Sequence, residues 1–146
     1  MIFNLLTRLN QEAGPRVLAL SLNEGTAPRP DPFPYYQSLD LYLNTSRHEG
    51  IPLSVIEAMA CGTPVVSSAV GGIPEIVTHG EHGFLVEGRD AGPFAARCIS
   101  LMGDDPLRRI MGERASAWAR SHFSAPAMAR AYRSLYEKGA VAAHRE

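Results

Sequence analysis

Long apolar runs, cysteines and net charge are what this 146-residue chain has least of. No apolar run approaches the roughly 20 residues that cross a bilayer, which excludes an integral membrane segment. Met1 to Gln11 also carries too short an apolar stretch for a signal peptide or anchor. Fourteen basic and 15 acidic residues leave a formal charge of -1, so no general electrostatic pull toward nucleic acid or acidic membranes follows. Only two cysteines are present, Cys61 and Cys98, both in apolar helical contexts. Buried reduced thiols fit that setting better than a disulfide. They point to a cytoplasmic protein, peripheral to a membrane only through parts of a larger polypeptide. His79 and His82 share a turn, but no cysteine or carboxylate cluster with ligand spacing accompanies them, so no metal is expected. No Ser-His-Asp or Cys-His set can be argued from residue order. The length suits one domain with a proper core and is too short for two ordinary ones.

What is present is an alternation of short strands and helices. Phe3, Leu5, Leu6 and Leu9 suggest a short amphipathic helix, and Arg16 to Leu22 reads as a strand. Pro28, Pro30, Pro32 and Pro34 make an extended connector. A helical turn at Tyr35 to Ser38 leads into a mostly buried strand, Leu41 to Asn44. Next come a helix from about Pro52 to Ala60, stopped by Gly62, and a strand from Pro64 to Ser67. Gly71-Gly72 opens a loop into a short helix, Ile73 to Thr78, followed by a strand around Phe84 to Val86. Three helices end the chain: about Ala91 to Met102, Pro106 to His122 and Pro126 to Lys138, the last two with good start signals. Strands joined through helices by short links predict a doubly wound α/β domain with a parallel sheet of reduced strand number and a helical C-terminus. Residues 1–34 would form an incomplete start, 35–138 the ligand-binding domain and 139–146 a frayed tail. No internal repeat is visible. Ligands of such sheets bind at the carboxyl ends of the strands, where Asn44 to Gly50 lie.

The most informative stretch is Glu49-Gly-Ile-Pro-Leu-Ser-Val-Ile-Glu57. Glu57 lies inside Leu53 to Cys61, a run with the composition of a buried helix, where a carboxylate is costly without hydrogen-bond donors. Pro52 suits the first helical position, which would leave the Leu53 and Ser54 amides as unpaired helix-end donors. Gly50 lets a ligand approach the backbone. Together they make a seat for a diphosphate, with Glu57 placed for two neighbouring hydroxyls and Glu49 for a sugar beyond. Against this, Glu-Gly before a helix is common, and a helical glutamate is more often solvated or paired with arginine. Spacing alone does not decide. Arg47 and His48 flank the loop and suit phosphate or solvent equally. Trp118, Phe123, Tyr132 and Tyr136 are spaced like core and helix-packing residues; Arg108, Arg109, Arg114 and Arg120 read as a solvent face.

The run from Ser46 to Val66, continued by Gly71-Gly72-Ile73-Pro74-Glu75-Ile76-Val77, Gly80 and Gly83 to Val86, resembles the signature of retaining glycosyltransferases of family 4. Tyr35 to Leu43 fits that family's usual entry into the motif, and the resemblance covers about Tyr35 to Glu137. It implies a Rossmann-like, donor-binding domain of the two-domain GT-B fold, which transfers a hexosyl-type group from a nucleoside-diphosphate sugar with no cofactor and no metal. Carried over, Glu57 would hold the ribose, and Glu49 would contact the sugar near the reacting carbon as the candidate catalytic carboxylate. Gly50, Ile51, Pro52 and Leu53 would line the sugar and diphosphate. Family members are normally more than twice as long and carry an acceptor-binding domain first. The Gly-Arg and Lys-Gly pair that clamps the diphosphate is only echoed at Thr7 to Gly14, leaving Arg8 and Arg47 as candidate phosphate contacts. The segment Asn23 to Pro34 is also short. The alternative is therefore a non-catalytic donor-binding module that needs a separate acceptor-domain partner or homo-oligomer.

Overall fold

The computed structural model describes Leu18–Leu20 and residues 33–143, with side chains described for residues 33–138. The expected N-terminal helix, Arg8 and the connector before Phe33 lie outside the described residues. Strands β1 (Leu18–Leu20), β2 (Leu41–Asn44), β3 (Val65–Ser68) and β4 (Gly83–Val86) form one sheet in that spatial order. Every pairing is parallel, with Leu18 opposite Leu41, Tyr42 opposite Val65 and Val66 opposite Phe84. Helices α1 (Phe33–Gln37), α2 (Leu53–Ala60) and α3 (Ile73–Ile76) occupy the successive crossovers. Helices α4 (Ala91–Gly103), α5 (Asp105–His122) and α6 (Ala125–Ala143) follow the last strand.

Side-chain alternation along the strands divides the core into two layers, as a parallel sheet covered on both faces requires. Tyr42 and Val65 face α1, α2 and α3, packing with Tyr36, Val55, Ala58, Met59, Ile73 and Ile76. Leu41, Leu43, Val66, Phe84 and Val86 face the other way, against Phe94, Ala95, Cys98, Leu101 and Met102 of α4. Consecutive strands are neighbours throughout, so the winding advances in one direction and α4 supplies the second layer. Helix α5 joins the two layers: Met111 belongs to the α4 side, Ala115 and Ala119 to the α2 side.

Several expectations are refined. Pro52 is the residue before α2 rather than its first member, with extended backbone (φ -74°, ψ 116°). Helix α2 is one-faced, not buried all round: Val55, Ala58 and Met59 are covered, whereas Leu53 is 69% exposed. Helix α3 ends at Ile76 because Val77 is already extended, and α6 continues past Gly139, where fraying was expected, to Ala143. Pro34 lies in the first turn of α1, not in the connector. Tyr132 and Tyr136 are exposed at 56% and 76%, so they do not belong to the core. Arg108 leaves the solvent face: it pairs with Asp105 at 2.9 Å and Asp40 at 3.6 Å and donates to the Leu101 carbonyl. The two cysteines do not form a disulfide; Cys98 is buried, which pushes its thiol up to about 12, and Cys61 is half-buried.

The α2–α5 crossing is held close by glycine. Gly62 ends α2 in the left-handed region (φ 84°), its amide bonded to the Met59 carbonyl at 2.9 Å, the usual use of glycine after a helix. A Cβ at Gly112 of α5 would run into the Gly62 carbonyl. Gly112→Ala is expected to cost about 1–3 kcal/mol through overpacking. Gly103→Ala, in open space, should cost nothing; urea midpoints of the two variants check the contrast.

Candidate functional site

The carboxyl ends of β2, β3 and β4 bring three loops to one edge of the sheet: residues 45–52, 69–72 and 87–90. The first starts in an Asx turn, with buried Asn44 accepting the Ser46 amide at 2.9 Å through Oδ1. Side chains play little part in its join to the second loop. Gly72 donates its amide to the Gly50 carbonyl at 2.9 Å. Gly71 adopts φ 56° and lies so near the Glu49 carbonyl that a Cβ would collide with it, while a Cβ on Gly72 would come within 2.7 Å of the Gly50 carbonyl. Two glycines thus let the second loop's backbone support the first directly. In sequence the pair opens a loop into a short helix; its close approach to the first loop is what the three-dimensional arrangement adds.

Beyond the clasp the first loop enters α2. The amides of Leu53 and Ser54 open the helix, where no intrahelical carbonyl reaches them, and the first bonds into Pro52 come from Val55 at 3.2 Å and Ile56 at 3.4 Å. No side chain caps this end. The positive end of the helix dipole and two amides therefore face the loop, an arrangement suited to an anion. Glu49 on the loop and Glu57 one turn into α2 are both half-buried; Arg47, His48, Gly50, Ile51 and Leu53 are exposed at the same edge. Pro52 is buried and fixes where the loop ends. Arg89, in the loop after β4, brings another exposed basic side chain to this edge. No local sequence signal marks it, because its place at this edge depends on strand order.

Glu57 has an internal neighbour that spacing did not reveal. It is Tyr36 of α1, whose phenol is pushed well above its ordinary range by burial, then by the nearby Tyr42 and Glu57. A carboxylate has roughly four acceptor positions, so Glu57 has capacity for several donors.

The histidine turn is structural rather than solvated at one of its two members. His79 is exposed, with Nδ1 near the Leu85 backbone. His82 is buried, accepts the Thr78 amide at 3.2 Å through Nδ1, and stacks on Trp118 with ring centroids 5.1 Å apart. Among the described residues no group of three potential ligands is close enough to hold a metal, and no helix is long and apolar enough to cross a membrane.

The profile of the family described as glycosyl transferases group 1 matches residues 16–104, more than half of the sequence. The chain belongs to that family. It is 40% identical over 97 residues to the N-acetyl-alpha-D-glucosaminyl L-malate synthase of Bacillus anthracis, covering 66% of this chain and 26% of that protein. With the D-inositol 3-phosphate glycosyltransferase of Corynebacterium jeikeium, identity is 41% over 121 residues, covering 82% and 29%. The chain thus spans between a quarter and a third of the length of these relatives. Among solved structures, HepE from Anabaena in complex with UDP superimposes with a TM-score of 0.68 at 27% identity, covering 71% of this chain and 29% of that one. The group 1 domain is of GT-B type, with helices α4, α5 and α6 following the last strand.

Two expectations follow from this geometry. Gly71→Ala should destabilise the fold by about 1–3 kcal/mol, since alanine meets both a positive φ and a backbone collision. It should also shift the amide resonances of Gly50 and Gly72; a neutral, spectrally silent substitution would contradict the clasp. His82 gives a pH dependence. Burial chiefly lowers its pKa below 6.5, helped by His122 and Arg114 and opposed by Glu81. The unfolded chain then binds the proton more readily, so stability is full above about pH 6.5 and falls as pH drops through the folded-state pKa. Thermal melts between pH 7.5 and 5 should show this slope, and His82→Gln should flatten it.

Proposed function

We propose that this chain is the donor-binding part of a retaining, family-4-type glycosyltransferase that moves a hexosyl-type group from a nucleoside-diphosphate sugar. The supporting observation is the carboxyl-edge loop that brings Glu49, the Leu53 and Ser54 amides and Glu57 to one helix entrance. In this reading the diphosphate sits on the two amides at the positive end of α2, with Arg47 as a further contact, so helix amides take the place of a metal. Glu57 accepts hydrogen bonds from the ribose hydroxyls. Glu49, nearer the mouth, contacts the sugar beside the carbon that reacts, and the backbone from Gly50 to Leu53 lines the space between. The site needs no resident cofactor, and the enzyme works in the cytoplasm.

The solved complex of HepE with UDP, at 27% identity, supports a uridine nucleotide as the first to try. The chain spans only 26% and 29% of the two curated relatives. The acceptor side of the reaction is therefore proposed to come from outside these 146 residues, on the same polypeptide or a separate one.

Isothermal titration of the folded chain with a panel of nucleoside diphosphates and nucleotide-sugars tests the reading. At least one should bind, and Glu57→Ala should weaken it by roughly tenfold to a hundredfold, because hydrogen bonds to a charged group contribute about 1.5–3 kcal/mol. Absence of heat with every member of the panel would overturn the proposal.

A further inference from the structure

The near-neutral total charge conceals an uneven distribution. Residues 1–113 carry eight basic and thirteen acidic side chains, whereas residues 114–138 carry five basic and one acidic. That second stretch is the end of α5 and most of α6. Such an asymmetry within one chain points to an anionic partner for the basic part. Helix α6 is also the least covered helix: between Ala125 and Lys138 no side chain is buried, and only Ala127 and Ser134 are half-buried.

Those two small side chains mark the side of α6 that meets the rest of the domain. Met128, Tyr132, Leu135 and Tyr136 are exposed at 56%, 56%, 66% and 76%. At about 100° per residue these four form one stripe, its middle roughly 140° round the helix from Ala127 and Ser134. The largest apolar side chains of α6 are therefore turned away from the protein's own core. Exposed Arg133 borders the stripe on one side and exposed Lys138 on the other. Glu137, the one acid in the helix, falls nearly opposite the middle of the stripe.

We propose that α6 is a membrane-surface helix, whose stripe of Met128, Tyr132, Leu135 and Tyr136 enters the interface of an anionic bilayer while Arg133 and Lys138 reach the lipid headgroups. Tyrosine rings suit that depth, with an apolar body and a polar tip. The two cations can lay their stems along the apolar boundary and keep their charges among the phosphates. No described helix is long and apolar enough to cross a membrane, so α6 lies along the surface. A second copy fits the stripe less well: two such helices would bring cations to both borders of the seam with no acid there to meet them. This role is separate from the donor site and does not depend on it.

The test is flotation of the full chain with vesicles of phosphatidylcholine alone or of phosphatidylcholine and phosphatidylserine in equal parts. The chain should float with the mixed vesicles, hardly at all with the neutral ones, and be released by high salt. The double variant Arg133→Gln/Lys138→Gln should lower partitioning by roughly thirtyfold, since each cation at an anionic surface contributes about fivefold. Tyr132→Ser/Leu135→Ser should lower it by about tenfold or more through lost apolar burial. All four side chains are exposed, so the melting temperature should hold; if the serine variant fails to fold, the glutamine variant, which keeps the stripe, carries the test. No flotation with mixed vesicles, equal flotation with both kinds, or unchanged partitioning of a folded variant would overturn the proposal. So would a dimer in free solution that the serine variant converts to a monomer, since the stripe would then serve a second copy.

Discussion

The backbone clasp between Glu49-Gly50 and Gly71-Gly72 is the constraint on which the functional edge depends. Loops at the ends of parallel strands ordinarily have freedom that a ligand must remove, at an entropic cost. Here the strand register already sets β2 beside β3, and the Gly72 amide bonds the Gly50 carbonyl at 2.9 Å. Neither contact involves a side chain, so the spacing between loops is set by backbone hydrogen bonding and close backbone approach rather than by rotamers. Any residue larger than glycine at position 71 would push the glutamate loop away from its support.

That clasp matters because the edge combines opposite demands. Helix amides at the entrance to α2 favour an anion, whereas Glu49 and Glu57 favour hydroxyls or cations. Both can serve one ligand only if it carries negative charge and hydroxyl groups at a set separation. A nucleoside-diphosphate sugar has that pattern, which is why the geometry and the group 1 family membership lead to the same proposal by separate routes.

Elsewhere the fold shows how context reassigns residues that look alike in sequence. Arg108 and Arg109 are adjacent on α5. Arg108 turns inward to Asp40, Asp105 and two carbonyls, while Arg109 pairs with Glu113 one turn along in solvent. His79 and His82 lie in one turn, yet one is exposed and the other is buried against Trp118. Tyr36 and Tyr136 are likewise opposites, one fixed in the core and one open on α6. Each difference depends on which layer the residue meets, information that spacing along a single element does not carry.

The sequence by itself determined the order of elements, the parallel α/β class, the helix stop at Gly62 and the placing of both glutamates at a helix entrance. Those features rest on local rules: hydrophobic period, glycine and proline chemistry, and short links. Tertiary structure alone decided that Leu53 is exposed and that Gly71 lies over the Glu49 carbonyl. The second of these needs two loops to meet at the edge of the sheet, and such meetings are set by crossover geometry and packing rather than by neighbours in the chain.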